Sequence, residues 1–226
     1  MKQTPTFVLL SLLGFLAGCE QQSPVAQDAA KPATTPPAVA TTIAAKAAAR
    51  KALFGDLHVH SSWSLDGYIF GNSNDPRAAY RFAQGEAVPL ADGASNRQLK
   101  VPLDFAAVTD HAETLGYYQR CIVDQGGEAY ADENCVMLRA RDLRLYFQGF
   151  RNLAMNPPQH LGEICESNAA CREAAKSPWS QLQAIADEFY RPGEFTTFKA
   201  YEYTGNLPKG GMLHRNVIFA TDEVPD

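Results

Sequence analysis

Hydrophobic and polar positions change character several times along the chain. Residues 7–16 (FVLLSLLGFL) are almost wholly apolar, and residues 20–50 have no aromatic side chain and are dominated by Ala, Thr, Pro and Gln. From residue 53 the pattern is that of a folded domain. Residues 53–60 (LFGDLHVH) alternate and are bounded by polar residues, which predicts a strand. Residues 76–86 (PRAAYRFAQGE) predict a helix with Pro76 in its first turn. Residues 103–109 (LDFAAVT) predict a short buried strand. Residues 136–154 read as a helix that is basic on one face. Ser177-Pro178 predicts a helix start, with a capping hydroxyl and a proline in the first turn. Trp179, Leu182, Ile185, Ala186 and Phe189 then share one face, and Arg191-Pro192-Gly193 ends the helix. Residues 195–204 (FTTFKAYEYT) predict a strand from their β-branched and aromatic content, and residues 214–220 (HRNVIFA) another. Strands alternating with helices predict a parallel α/β architecture. Two stretches, 67–102 and 112–176, are long for simple connections, and long loops on a rigid scaffold usually shape a site or a partner surface.

The first apolar run has about the length of a signal-peptide core and is too short to span a bilayer. Lys2 precedes it and Leu16-Ala17-Gly18-Cys19 follows. Small residues directly before a cysteine in this setting resemble the lipobox of bacterial lipoproteins. The resemblance implies cleavage before Cys19, lipidation of that cysteine, and export with anchoring in a membrane. Glu20, rather than Asp, follows the cysteine. By analogy with enteric bacteria that favours the outer membrane, with the domain facing the periplasm or the cell surface. The expected organisation is a signal peptide over 1–19, a tether over 20–50 too poor in apolar surface to offset its ordering entropy, and a folded domain over 51–226.

Composition narrows the classes. The chain has 226 residues, 46% hydrophobic and 20% charged, which suits one globular domain plus an extension. Its net charge is −5 and it has no basic run, which excludes a nucleic-acid partner. A phosphate-bearing small molecule would need local positive charge, which a metal cluster supplies. With Cys19 assigned to the lipid, Cys121, Cys135, Cys165 and Cys171 remain, an even number in an oxidising compartment. Three pairings are open. The local one, Cys121 with Cys135 and Cys165 with Cys171, is expected because both pairs bracket polar loops. A four-cysteine zinc site is the alternative, without a C-x-x-C pair to support it.

The chemistry gathers at strand ends. His58 and His60 close the first predicted strand, and residues two apart on a strand point to one side. Asp66 follows in Ser64-Leu65-Asp66-Gly67, and Asp110-His111 comes directly after the second strand. Glu202 lies in the middle of the third, where a buried carboxylate is costly without a partner, and His214 opens the fourth. His160 is the exception and reads as a surface histidine in a Pro-rich loop. If the strands are parallel neighbours in a barrel, their ends converge on the face where such enzymes build active sites. A His, Asp and Glu set suits Zn, Mn or Fe better than Ca.

The ordered set Phe54-Gly55-Asp56-Leu57-His58-Val59-His60-Ser61, Ser64-Leu65-Asp66-Gly67, Thr109-Asp110-His111, Tyr201-Glu202-Tyr203 and His214 resembles the metal-binding motifs of the PHP (polymerase and histidinol phosphatase) superfamily. The stretches 68–72, 79–82 and 109–113 are similar to its branch called domain of unknown function 3604. The resemblance covers residues 54 to 220. It implies a distorted (β/α)7 TIM-like barrel with two or three divalent ions. His58, His60 and Glu202 would hold one ion, Glu202 and His214 would share a second, and Asp66 and His111 would contribute to a third. It further implies hydrolysis by a metal-bound hydroxide, with phosphate esters of small molecules as the expected substrates. Asp56 and Asp110 would orient the ligands by hydrogen bonds, and Arg215 could meet an anionic substrate. The superfamily pattern continues with another metal-binding His and a closing Asp-x-His, and neither occurs here. The chain is therefore expected to hold about the first half of the barrel, to be truncated at its C-terminus, and in isolation to bind metal weakly and turn over poorly. Hydrolysis of an amide or another ester, or a non-catalytic metal- or ligand-binding surface lipoprotein, stay open beside the phosphoesterase reading.

Overall fold

The computed structural model describes residues 51–153, 164–207 and 211–225. The expected signal peptide, Cys19, the tether and His160 lie outside the described residues.

The domain starts with β1 (Gly55–Val59), the short helix α1 (Leu65–Ile69) and α2 (Pro76–Ala83). A small ribbon follows, made of β2 (Val88–Pro89) and β3 (Asn96–Arg97), and then β4 (Phe105–Val108). The second long stretch folds into α3 (Leu115–Tyr118), α4 (Glu133–Arg139) and α5 (Leu143–Leu153), with single 3-10 and π turns between them. The long helix α6 (Asn168–Phe189) leads to β5 (Thr196–Thr197), β6 (Ala200–Leu207) and β7 (Gly211–Ile218).

Local chemistry explains most boundaries. Asp75 caps α2 by accepting from the Ala78 amide at 2.8 Å, and Pro76 occupies the first turn, where an amide proton has no helical partner. The helix predicted over 136–154 is two helices. Arg141 between them adopts φ 56°, and its guanidinium donates to the Gly71 carbonyl and to Ser73 Oγ. A left-handed residue ends one helix and turns the chain into the next. α6 begins at Asn168, capped by Ser167, rather than at Ser177. Its first turns are held by Cys171, buried and bonded to Cys165, so the helix runs through Pro178 and gives up one rung there.

β4 is the centre of a parallel sheet in the order β1-β4-β5. β6 prolongs this pairing: His111 and Glu202 form a parallel bridge in the same register as Phe105 with Thr196. The strand predicted over 195–204 is thus one line of chain interrupted at residues 198–199. β7 runs antiparallel to β6, where the sequence pattern predicted a parallel neighbour. The reason is length. Three residues separate the two strands, whereas a parallel return needs about a dozen or more. The described residues form three small sheets and no closed barrel.

Two apolar clusters support this frame. In one, Ala106 and Val108 of β4 pack with Tyr80 and Ala83 of α2 and Leu182, Ile185, Ala186 and Phe189 of α6. These α6 residues are the predicted apolar face, with Trp179 packed at its margin. Ile185 is fully buried, a burial that contributes about 1.5–3 kcal/mol. The second cluster joins Leu65 and Ile69 of α1 to Tyr117, Leu138, Leu145, Ile164 and four cysteines. The cysteines pair as expected, Cys121 with Cys135 and Cys165 with Cys171.

Candidate metal centre

The other five predicted ligands gather around Glu202, a residue 1% exposed. His58 and His60 leave β1 on one side, and each sets Nε2 against Glu202 Oε2, at 3.0 and 2.6 Å. The chain then turns through Ser61–Ser64 into α1, whose first turn carries Asp66. Ser64 Oγ and the Gly67 amide donate to Asp66 Oδ1 at 2.6 and 2.7 Å. That fixes Oδ2 at 2.7 Å from His60 Nδ1. His111, just past β4, points Nε2 at Asp66 Oδ2 and Glu202 Oε2 from 3.9 and 3.8 Å. His214 lies opposite Thr204 on the β6–β7 hairpin and reaches diagonally to Glu202 Oε1, 2.8 Å from its Nδ1.

The two carboxylates expected to orient ligands act through the main chain. Fully buried Asp110 accepts from the Ser61 amide at 2.6 Å and from Ser61 Oγ at 2.5 Å, and its own carbonyl accepts from the Glu202 amide at 3.1 Å. It thereby joins the exits of β1 and β4 to β6. Asp56, on the exposed part of β1, accepts from the His58 amide at 2.9 Å. Arg215 pairs with Tyr203, one position off the His214 register, and strand alternation turns it to the opposite face of the hairpin. The structure does not bring it to the cluster.

Two residues at the site were not singled out from sequence. Glu113 Oε1 lies 2.9 Å from His111 Nδ1. Thr204 Oγ1 lies 3.2 Å from His111 Nδ1 and 3.3 Å from His214 Nδ1. The available signal was spacing: Thr204 is two residues from Glu202 on one strand face, and Glu113 is two from His111. Beside His111 a small open cleft is lined by Leu65, Asp66, Glu113, Thr114, Tyr146 and Thr204.

Charge couples these groups. Burial alone would lower the His60 pKa, but the Asp66 hydrogen bond and the charges of Asp66, Glu202 and Asp110 overcome it and push it up to about 9. His111 is raised as well: burial opposes the shift, and Glu113 leads the groups that win. Burial works against ionised Asp66, yet the His60 and Ser64 hydrogen bonds hold it far below the ordinary carboxylate range. Glu202 is held low in the same sense, with His111, His58 and His60 outweighing burial. Burial pushes Asp110 up to about 6, against the Ser61 hydrogen bonds. Without a cation, protonated imidazoles compensate the buried carboxylates.

The donor set fits divalent ions. Three overlapping triads, His58-His60-Glu202, His60-Asp66-His111 and His111-Glu202-His214, each have ligand atoms within 4.8 Å of one another. Each triad contains one of the ligand sets expected from sequence. Imidazole with carboxylate suits Zn, Mn or Fe. The chain as a whole was compared with known proteins. The model of a family described as protein of unknown function (DUF3604) matches residues 47–226. No curated protein and no solved structure matches.

Proposed function

The chain belongs to the DUF3604 family, and from that premise we propose that it is a metal-dependent hydrolase of the PHP type, acting on small phosphate esters outside the cytoplasm. The observation that carries the reading is the meeting of His58, His60, Asp66, His111, Glu202 and His214 around one buried carboxylate. Divalent ions held there supply Lewis acidity and a nucleophile from water at neutral pH. His58, His60 and Glu202 would hold one ion, His111, Glu202 and His214 a second, and His60, Asp66 and His111 a third. Glu202 is suited to bridging, since Oε2 faces the β1 histidines and Oε1 faces His214. Asp110 holds the β1 exit in position through Ser61. The small cleft beside His111 is where a substrate would approach the cluster. Its described lining has no lysine or arginine, so the positive charge a phosphate ester requires is assigned to the ions.

The parallel run β1-β4-β5, with His58 and His60 at the C-terminal end of β1 and His111 just past that of β4, supports the barrel reading. Export with a lipid on Cys19 belongs to the same proposal, and two disulfides support an oxidising destination. Among the described residues no helix is long and apolar enough to cross a membrane.

The test, made on the complete gene product, is elemental analysis after purification without chelator, beside the double variant His58→Ala, His60→Ala, followed by turnover of p-nitrophenyl phosphate. We expect more than one equivalent of Zn, Mn or Fe, loss of most of it in the variant, and metal-dependent turnover. Absence of stoichiometric metal would sink the mechanism. Metal without phosphoester turnover would move the reading to an amide, another ester, or a binding role.

A further inference from the structure

The two nitrogens of His111 are in different surroundings. Nδ1 lies 2.9 Å from Glu113 Oε1, within hydrogen-bond reach. Nε2 lies 3.9 Å from Asp66 Oδ2 and 3.8 Å from Glu202 Oε2, too far to bond either. The other β-strand-end imidazoles differ. His58 and His60 touch Glu202 Oε2 at 3.0 and 2.6 Å. The proton on the His111 ring therefore decides which nitrogen presents a lone pair to the cluster.

Two neighbours of Nδ1 bear on that choice. Thr204 Oγ1, at 3.2 Å, can donate or accept, and it also faces His214 Nδ1 at 3.3 Å. An ionised carboxylate only accepts, so Glu113 requires a proton on Nδ1. Glu113 is well buried, its side chain 11% exposed, and its Oε2 is buried without a hydrogen-bond partner. A carboxylate kept for packing alone would not leave one oxygen dry, because that costs free energy that a neutral side chain avoids. Its bond to the imidazole is the leading compensating contact, with Thr204 contributing beside it.

We infer that Glu113 is a positioning residue that keeps the His111 proton on Nδ1 and so directs an unprotonated Nε2 at the space between Asp66 and Glu202. Histidines that ligate metals commonly donate their other ring proton to a carboxylate, which fixes tautomer and orientation. The metal arm of this inference rests on the hydrolase reading above, and the tautomer arm does not.

The experiment is multiple-bond ¹H–¹⁵N NMR of metal-free protein labelled at histidine, recorded at the alkaline end of the titration where the His111 ring holds one proton. The wild-type His111 should have protonated Nδ1 and unprotonated Nε2. In Glu113→Met, which keeps size and removes the acceptor, the proton should shift towards Nε2. Zn²⁺ affinity by chelator competition should then fall about 10–100-fold. Circular dichroism and melting establish that the variant is folded. A wild-type ring protonated on Nε2 overturns the inference, and that spectrum decides alone if Glu113→Met fails to fold. A folded Glu113→Met with the wild-type tautomer also overturns it, whatever its affinity. If wild-type protein has the expected tautomer but binds no Zn²⁺, the hydrolase reading falls and the positioning role stands.

Discussion

Glu202 shows at the scale of one residue how stability and binding pull in opposite directions. A carboxylate this buried costs several kcal/mol unless it is paired. In the metal-free chain the pairing falls to imidazoles, and the His60 ring is pushed up to about 9, burial opposing the shift and Asp66 leading the groups that raise it. The sign of the pH dependence follows. The folded value lies above the ordinary 6.5, so the contribution of this group to stability is complete below about pH 6.5 and is lost as pH rises through about 9. A cation makes the opposite demand, because His60 must surrender its proton before a ring nitrogen can bind. Between pH 7 and 9, metal-free protein should lose thermal stability while Zn²⁺ affinity rises by up to about tenfold per unit for each proton released. Calorimetry in two buffers of different ionisation enthalpy should register about one proton or more leaving per first ion bound. A pH-independent affinity would contradict the His60 assignment.

Among the elements, the contact of α3 with α6 is tight because Gly116 has no side chain. A Cβ there would run into the carbonyl of Cys171 in α6, a backbone atom that cannot turn aside. Gly116→Ala should cost about 1–3 kcal/mol, read from the urea midpoint at unchanged slope. Gly126→Ala, with open space around its Cβ, is the control and should be near neutral. A Gly116→Ala variant as stable as that control would refute the packing. Such contacts join residues far apart in sequence and leave no periodic trace, which is why this packing was not legible there. What was legible is local. Alternation and apolar faces gave β1, β4, α2 and the second half of α6; strand-end spacing pointed to four histidines, and the resemblance to the PHP motifs completed the six candidate ligands. The break at Arg141 was passed over, although Asp142 behind it is a capping residue whose side chain accepts from the Arg144 amide at 2.9 Å. The β6–β7 hairpin was not legible, because the predicted strands ended at residue 204 and began at residue 214, and the wider strand–helix alternation suggested a parallel return. Glu113 was passed over because an acidic residue beside a loop histidine has the pattern of a solvated turn.

At the scale of the molecule, the second apolar cluster links cysteine chemistry to the site. Apart from Cys171 at the start of α6 and the Ile164-Cys165 segment, it is assembled from short helices, and below about a dozen residues a helix is marginal without tertiary support. Both disulfides lie inside it. α1 contributes Leu65 and Ile69 to the same cluster, and Asp66 stands between them, held against His60 at 2.7 Å. Loosening the cluster therefore loosens the residue that belongs with His60 and His111. In the chain-entropy account, the Cys121–Cys135 loop, with a separation of 14, contributes about 3 kcal/mol, and the Cys165–Cys171 loop, with a separation of 6, about 2 kcal/mol. Either is a large part of the net stability of a domain this size. Cys121→Ser with Cys135→Ser should lower the melting temperature by several degrees, and dithiothreitol should do the same to wild type and little more to the variant beyond the second bond. The same variant should lose metal more readily than wild type at a temperature where both remain folded, with the loss confined to the part of the metal that depends on Asp66. Asp66→Ala supplies the comparison. If the serine variant melts lower yet retains all of its metal, the cluster supports the fold without supporting the site, and the route from the disulfide through α1 to Asp66 is broken.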